Sequence, residues 1–296
     1  MKPAPLRLER PHSLEEALAL LAEHGDDAKV IAGGQSLVAL LNFRLAAPAV
    51  LVDLGQVPAL ALVDIAEGSV RVGALCTQRA LERHAEARAA CPLLGLALPH
   101  VGHVATRNRG TVGGSIAHAD AAAELPLLLQ TLGGEVEVTG PSGARLVAAE
   151  DFFVSHLTSC LEADEIVTEV RFPSGADGWG AGFAEVAPRH GDYAVCAVAC
   201  ALRVEGGVVS EARIGAGAVS DRPLRLPAAA RMLAGSRCEP AALAAATDEA
   251  RRAVEPSDGL HASAEYRRHL TGVLVRRAAC GRATAWRRRS RIASRP

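Results

Sequence analysis

Two glycine pairs, each inside a run of small and hydroxyl-bearing residues, constrain this chain more than any other sequence feature. The first run is Ala-Gly-Gly-Gln-Ser at residues 32–36, and the second is Thr-Val-Gly-Gly-Ser at residues 111–115. Glycine reaches positive φ and lets a ligand touch the backbone, and successive N–H groups in such turns form an anion-binding concavity. A single pair is typical of an ordinary tight turn. Two pairs in the same context favour two facing concavities that hold a diphosphate without any lysine.

Composition places the chain among ordinary globular proteins. Of its 296 residues, 49% are hydrophobic and 22% are charged, which is close to the usual mix. The longest strongly apolar runs are about ten residues, whereas a membrane span needs about 20. Residues 1–11 lack the apolar segment of a secretory signal. We therefore expect no membrane span and a cytoplasmic location.

Charge is unevenly distributed along the chain. The net charge is −1, yet residues 276–296 carry eight arginines and no acid, which leaves −9 for the rest of the chain. Nucleic-acid binding usually needs a basic face on the folded body as well. The acidic body argues against a nucleic-acid partner, and the basic tail is typical of a solvated extension of the last helix.

The cysteines and histidines do not form a recognisable metal or catalytic pattern. The seven cysteines are scattered and contain no Cys-x-x-Cys pair, so they fit reduced core thiols better than disulfides, an iron–sulfur cluster or structural zinc. His100, His103 and His118 have no acid at metal-ligand spacing. We expect no metal site in this chain and no Ser-His-Asp or Cys-His catalytic arrangement.

Periodicity predicts a mixture of helices and strands. A helix begins after Ser13, a strand at 28–32 leads into the first glycine pair, and residues 77–104 are predicted to be helical, with a second segment from Pro92. Residues 107–124 are predicted to form a functional loop, because they are dense in small residues and have no clean period. The stretch 173–179 is the best domain boundary, and strands followed by helices after it favour an α+β unit. The elements predicted after this boundary are strands at 182–187, 194–204 and 208–219 and helices at 228–234, 240–254 and 263–286.

Three further side chains are candidates for ligand contact. Asp120 and Glu124 follow the second glycine pair, where carboxylates could accept hydrogen bonds from sugar hydroxyls. The alternative is a helix N-terminus, which also favours acids, and one residue can serve both purposes. Tyr193 follows Gly191-Asp192 and could stack on a planar ligand, or it could be a core residue after a turn.

The residues around both glycine pairs resemble a known family. Residues 32–37, 107–120 and 122–126 are similar to the FAD-binding medium subunit of molybdenum hydroxylases, within the xanthine dehydrogenase family. The similarity is closest to the carbon monoxide dehydrogenase medium-subunit group, and it extends over residues 1–285. The two glycine segments together are its specific signal.

This resemblance implies an α+β fold with a PCMH-type (vanillyl-alcohol-oxidase-type) FAD-binding domain and a small α+β C-terminal domain. The implied bounds are 1–175 for the first domain, in subdomains 1–56 and 57–175, then 180–286 for the second and 287–296 for a basic tail. FAD would bind non-covalently. The glycine segments would cradle its diphosphate, and Asp120 and Glu124 would bind ribityl, ribose or flavin groups. Val167 would lie along the flavin and Tyr193 beside the isoalloxazine ring. The implied FAD-binding residues are Ala32, Gly33, Gly34, Gln35, Ser36, Leu37, Val101, Gly110, Thr111, Val112, Gly113, Gly114, Ser115, Ala117, Asp120, Glu124, Val167 and Tyr193.

The resemblance also implies partners. A small subunit would carry two [2Fe–2S] clusters, and a large molybdopterin subunit would oxidise the substrate, in a dimer of heterotrimers. Electrons would pass through the clusters to this FAD and then to an external acceptor. No catalytic side chain is implied here, because the flavin supplies the redox chemistry and the protein holds and tunes it. Substrate and acceptor are not encoded in this chain.

Two departures from the family pattern keep alternatives open. Glu185 stands where the family often has a lysine close to the flavin, and Ala121 replaces a common proline. Loss of a cation there would lower the flavin potential or change the acceptor. One alternative is a flavin-free assembly module that retains the fold. Another is a stand-alone PCMH-type flavin oxidase.

Overall fold

The computed structural model describes residues 2–175 and 179–293, with side chains described through Cys280. Residues 287–293 of the predicted basic tail continue the last helix, whereas its side chains and residues 294–296 lie outside the described part. Among the described residues, no helix is both long and apolar enough to cross a membrane.

The chain begins with a small parallel sheet. Strands β1 (Arg7–Glu9), β2 (Ala28–Ile31) and β3 (Val50–Asp53) pair in the order β1-β3-β2. Helices α1 (Leu14–His24) and α2 (Leu37–Asn42) connect them. Ser13 caps α1 as predicted, because its hydroxyl accepts a hydrogen bond from the N–H of Glu16. The first glycine pair therefore lies between β2 and α2.

A five-stranded antiparallel sheet follows. Its strand order is β4-β5-β10-β6-β7, so the last strand in sequence lies at its centre. These strands are β4 (Val63–Ala66), β5 (Ser69–Gly73), β6 (Glu135–Gly140), β7 (Gly143–Ala148) and β10 (Ile166–Pro173), with the hairpin β8 (Phe153–Ser155) and β9 (Thr158–Ser159) beside them. The helices of this region are α3 (Gln78–Arg83), α4 (Ala85–Ala90), α5 (Pro92–Ala97), α6 (Val104–Arg107), α7 (Val112–His118), α8 (Glu124–Leu132) and α9 (Ala149–Phe152).

Two predictions for this region need correction. The helical stretch 77–104 breaks not only at Pro92 but also at His84, because the His84 imidazole caps a new helix by accepting from the N–H of Ala87. The predicted loop 107–124 contains helix α7. The hydroxyl of Thr111 accepts from the N–H of Gly114 and starts this helix, a capping signal that the small-residue composition concealed.

The C-terminal part has strands followed by helices, as expected. Strands β11 (Trp179–Val186), β12 (Cys196–Glu205), β13 (Val208–Gly217) and β14 (Leu224–Arg225) form an antiparallel sheet in chain order. Helices α10 (Pro227–Leu233), α11 (Pro240–Ala253) and α12 (Ala264–Ala293) cover one face of it. Side chains alternate between the two faces of a strand. On β12, Ala197 and Ala199 accordingly face the first core, while Cys196 and Cys200 face the second.

Helix α8 packs the central sheet against the C-terminal sheet. All nine of its residues are buried, and its leucines share one core with Val170 of β10 and Ala199 of β12. A helix with so few polar residues and no exposed face belongs in an interior. Because Glu124 is the first residue of α8, this packing also fixes that carboxyl in place.

Shortening a buried leucine side chain of α8 should destabilise the whole chain. Leu128 is fully buried, so Leu128→Ala should lower the free energy of unfolding by about 2–5 kcal/mol through lost burial and a residual cavity. The control Leu260→Ala removes a side chain that is 96% exposed and should change stability by less than about 0.5 kcal/mol. Urea denaturation compares the two variants. Equal losses would contradict the central position of α8.

Candidate cofactor-binding site

A cavity of about 780 Å³ lies between the small parallel sheet and the larger unit. This volume lies in the upper part of the range of about 300–1,000 Å³ that is usual for ligand sites. Both glycine segments line the cavity, so the structure brings together residues that are far apart in sequence.

The first glycine segment presents an open backbone to this cavity. Gly34 has φ +71°, which an L side chain rarely adopts. In the part of the chain that the structure describes, the N–H groups of Gly34, Gln35 and Ser36 donate to no protein acceptor. A Cβ atom at Gly33 would overlap the carbonyl oxygen of Arg109, so only glycine permits this contact. Unused N–H groups beside a residue of positive φ are the features that an anion-binding concavity requires.

The second glycine segment differs from the prediction. Its N–H groups are already used: Val112 donates to the Cys76 carbonyl and Gly113 to the Ala74 carbonyl, each at 2.9 Å. Gly114 donates to the Thr111 hydroxyl at 3.0 Å. The prediction of a second amide concavity is therefore wrong, because these N–H groups start and anchor helix α7. The segment offers the cavity the hydroxyl of Ser115 and a bare Cα at Gly114 instead.

All but three of the FAD-binding residues that were predicted from the sequence line the cavity. The exceptions are Val112, Gly113 and Val167. Val112 and Val167 are buried in the core, and Gly113 packs against Ala74. The predicted FAD-binding residues in the cavity wall are Ala32, Gly33, Gly34, Gln35, Ser36, Leu37, Val101, Gly110, Thr111, Gly114, Ser115, Ala117, Asp120, Glu124 and Tyr193.

Charged groups in the wall are mostly acidic. Lys29 contributes a cation, while six acids contribute carboxyl groups. One of them, Asp120, accepts a hydrogen bond from the N–H of Ala122 at 2.8 Å, so it fixes the turn before α8 while it faces the cavity. The six are Asp26, Asp120, Glu124, Glu162, Glu165 and Asp192. An anionic group would be held here mainly by backbone dipoles and hydroxyls, with Lys29 as the one lysine or arginine among the described residues of the wall.

Glu124 differs from the expected acceptor carboxylate. It is 7% exposed, and burial raises its pKa to about 8, with the nearby charge of Glu185 adding to the rise. Its place at the start of α8 favours ionisation, but desolvation in the low-dielectric interior is the stronger effect. At neutral pH Glu124 is mainly a neutral acid, which can donate a hydrogen bond.

Sequence reasoning missed several residues of the cavity wall. Gln78 lines the cavity, and its carboxamide oxygen is buried without a hydrogen-bond partner. Nothing local marks Gln78, which is the first residue of an ordinary capped helix. Residues 28–31 could have been found, because they form the strand that leads into the first glycine pair. Residues 157–159 and 161–163 reach the cavity through the β8–β9 hairpin and the turn after it, which lacks a sequence signal.

Of the three histidines considered as metal ligands, His118 lines the cavity. Burial lowers its pKa, so it is mainly neutral at pH 7. The described residues contain no group of three or more His, Cys, Asp and Glu side chains arranged to hold a metal ion.

Arg107 supports the wall from behind. Its Nη1 donates to the carbonyls of Val101 at 2.8 Å and Gly102 at 3.0 Å. Its Nε and Nη2 donate to the two carboxylate oxygens of Glu82 at 2.9 and 3.2 Å. The Arg107 side chain is 6% exposed, so it fixes the wall and is not a free cation for a ligand.

Removal of Arg107 should lower stability much more than removal of the less buried Arg79, which also pairs with Glu82. Arg107→Met leaves two carbonyls unsatisfied and leaves the largely buried Glu82 carboxylate with Arg79 as its remaining partner, so the free energy of unfolding should fall by about 3 kcal/mol. Arg79→Met should cost about 1 kcal/mol or less. Denaturant unfolding at pH 7 measures both, and similar losses would refute the positioning role of Arg107.

The pH dependence of stability gives a second test of this ion pair. Burial raises the pKa of Glu82, but hydrogen bonds from Arg107 and Arg79 outweigh burial and lower it below its usual value of 4.5. The ion pair of Glu82 with Arg107 therefore stabilises the folded chain above pH 4.5, and this stabilisation is lost as the pH falls through the lowered pKa of Glu82. The stability difference between wild type and Arg107→Met should shrink on acidification.

Comparison with known proteins identifies the family of both parts of the chain. Residues 4–175 match the family described as the FAD binding domain in molybdopterin dehydrogenase, and residues 181–280 match the CO dehydrogenase flavoprotein C-terminal domain. The chain is 40% identical to the nicotine 6-hydroxylase medium subunit of Paenarthrobacter nicotinovorans, covering 94% of this chain and 97% of that protein. It is 35% identical to the carbon monoxide dehydrogenase medium chain of Afipia carboxidovorans, covering 94% and 96%. A crystal structure of the Cu,Mo-CO dehydrogenase matches with a TM-score of 0.93 and 35% identity, covering 96% of this chain and 99% of that one.

Fold and site together define a two-domain FAD-binding flavoprotein of the oxidoreductase class. The chain belongs to the family of FAD-binding medium subunits of molybdenum hydroxylases. The family, the fold class and the oxidoreductase class that the sequence predicted are thereby confirmed.

Proposed function

We propose that this chain carries one non-covalent FAD as the electron-transfer subunit of a heterotrimeric molybdopterin hydroxylase. The partners are a small subunit with two [2Fe–2S] clusters and a large subunit with the molybdopterin cofactor, assembled as a dimer of heterotrimers in the cytoplasm. Electrons from a substrate oxidised on the large subunit pass through the clusters to this flavin and then to an external acceptor. We propose that the predicted FAD-binding residues that line the cavity form the FAD site.

One observation carries the FAD assignment: the cavity places an open backbone concavity beside hydroxyls and uncommitted polar atoms. The free N–H groups of Gly34, Gln35 and Ser36 suit a diphosphate, which the acidic side chains of the wall would otherwise repel. The unpartnered carboxamide oxygen of Gln78 suits a ligand donor. These residues fit the cofactor that the family implies.

The chain's own task follows from these contacts. FAD supplies two-electron and one-electron redox chemistry when it is bound, and the protein orients the flavin and sets its surroundings. Gly34, Gln35 and Ser36 would bind the phosphate oxygens, and Ser115 would donate from its hydroxyl. Tyr193 stands in the wall, half exposed, where it can cover a planar ring.

The relatives favour a role that does not depend on one substrate. Their names include a nicotine 6-hydroxylase medium subunit, a caffeine dehydrogenase subunit and a carbon monoxide dehydrogenase medium chain. Such unlike substrates, together with one shared kind of medium subunit, support substrate oxidation on another polypeptide. We propose the same division of labour for this chain.

Reduction experiments separate this function from its alternatives. Purified with its two partner subunits, the chain should contain flavin that is reduced when the substrate of the complex is added, and the chain alone should not be reduced by organic substrates. Reduction of the chain alone by a small molecule would favour a stand-alone oxidase. A colourless chain that still joins the complex would favour an assembly module.

A glycine substitution tests the cavity assignment. A Cβ at Gly114 would lie 2.7 Å from the Thr111 hydroxyl that caps α7, and the branched side chain of Gly114→Val would enter the cavity. This variant should lose at least nine-tenths of its FAD, which corresponds to about 1.4 kcal/mol or more of binding free energy. In the control Gly95→Ala, the new Cβ would make only ordinary contacts with Arg88, so FAD content should not change. Full flavin in Gly114→Val, measured from its absorbance after denaturation, would show that the cavity is misassigned.

A further inference from the structure

The side chain of Arg267, on α12, binds two backbone carbonyls at one end of the C-terminal sheet. Its Nη1 donates to the Val195 carbonyl at 2.7 Å and to the Ala218 carbonyl at 2.8 Å. Val195 immediately precedes β12 and Ala218 immediately follows β13, and the two strands pair at this end, with Ala197 opposite Gly217. Hydrogen bonds from a charged donor are stronger than those between neutral groups. One guanidinium therefore fixes the chain both where it enters β12 and where it leaves β13.

The bond to Val195 anchors one part of the cavity wall from behind. Residues 191–193 line the cavity, and the chain continues through the buried residues Ala194 and Val195 into β12. We call residues 191–195 the Tyr193 segment. Arg267 itself is not among the described residues that line the cavity, so it holds this segment without facing a ligand.

The bond to Ala218 anchors a second part of the wall. The N–H of Ala218 donates to the Ala121 carbonyl at 2.8 Å, and a Cβ at Gly217 would lie 3.2 Å from the same carbonyl oxygen. The end of β13 therefore packs closely against residues 120–122, which we call the Asp120 turn. Asp120 lines the cavity, and its carboxylate accepts from the N–H of Ala122 at 2.8 Å.

Ala218 depends on hydrogen bonds from both sides. Its φ is +63°, in the left-handed region that residues with a side chain rarely adopt. The bond from Arg267 to its carbonyl and the bond from its N–H to Ala121 both hold this conformation. Removal of Arg267 takes away one of the two, so the Asp120 turn loses part of its support.

We propose that Arg267 is a positioning residue for FAD, because its two hydrogen bonds hold the Tyr193 segment and the Asp120 turn in place at the cavity wall. This inference rests on the proposed function. A site that is ordered before binding loses less conformational entropy when its ligand binds. FAD affinity therefore depends on a side chain of α12 that lies outside the cavity wall.

Hydrogen exchange at single amides of the cofactor-free full-length chain tests the positioning directly. In Arg267→Met, the N–H of Ala218 should exchange at least about tenfold faster relative to that of Val209, because the residue has lost a charged hydrogen bond. Val209 is the internal reference, since its N–H donates to the Ser236 carbonyl at the other end of β13. The ratio of the two rates separates local loosening from a general loss of stability.

Two control variants on the same helix complete this experiment. Leu274 is fully buried in the second core, so Leu274→Ala lowers stability without removing either carbonyl bond and should accelerate both amides alike. Arg268 is exposed, and Arg268→Met removes a neighbouring guanidinium and should change neither rate. Arg267→Lys keeps a charged donor on a shorter side chain and should shift the exchange ratio in the same direction by a smaller factor.

FAD affinity tests the purpose of the positioning. In the complex stripped of flavin, the dissociation constant for FAD should rise at least about tenfold in Arg267→Met, at a temperature where the variant is folded. Leu274→Ala should leave it within about twofold of wild type, because that residue shares no partner with the wall. The visible circular dichroism of the bound flavin should change in Arg267→Met and not in Leu274→Ala, since only the first variant releases the Tyr193 segment.

The outcomes separate this inference from the proposed function. An exchange ratio that stays at the wild-type value in Arg267→Met, or in Arg267→Lys if the methionine variant does not fold, would overturn the proposal. So would an FAD affinity that falls no further in Arg267→Met than in Leu274→Ala. In both cases FAD binding itself would stand. If the wild-type complex takes up no FAD, the proposed function fails, while the exchange ratio still decides whether Arg267 holds Ala218 in place.

Discussion

The contact between Gly33 and the backbone of Arg109 and Gly110 is the constraint on which the site depends. A side chain at residue 33 would overlap the Arg109 carbonyl, so the small parallel sheet approaches the larger unit only because this residue is glycine. That approach brings the first glycine segment opposite the second and leaves the cavity between them. The proposed FAD site is therefore a product of domain packing, and neither unit contains it alone.

Electrostatics then decide how such a cavity can hold an anionic cofactor. Most charged side chains in the wall are acids, and the nearby Arg107 is committed to Glu82 and the carbonyls behind the wall. Besides Lys29, binding must then come from oriented backbone N–H groups and hydroxyls, which carry no net charge and are fixed in place by the fold. A neutral Glu124 is favourable for the same reason, because an ionised carboxylate there would add to the repulsion of an anionic cofactor.

Local sequence signals predicted the parts of this protein that short-range geometry controls. The first glycine segment, the Ser13 cap and the order of strands and helices after residue 179 all follow from neighbours in sequence. The parts that were missed depend on distant partners. Val167 is turned into the core by the pairing of β10 with β6, and the amides of the second glycine segment are taken by carbonyls at Ala74 and Cys76. The raised pKa of Glu124 comes first from its burial at the start of α8, which depends on packing against distant strands, and the charge of Glu185 adds to it.

The proposed function requires that this chain hold one non-covalent FAD in the cavity between its glycine segments. The most direct measurement is to denature the purified complex, remove the protein, and identify and quantify the released flavin by chromatography. We expect FAD in the supernatant at one molecule per chain. Absence of flavin, FMN in place of FAD, or flavin that stays with the precipitated protein would contradict it.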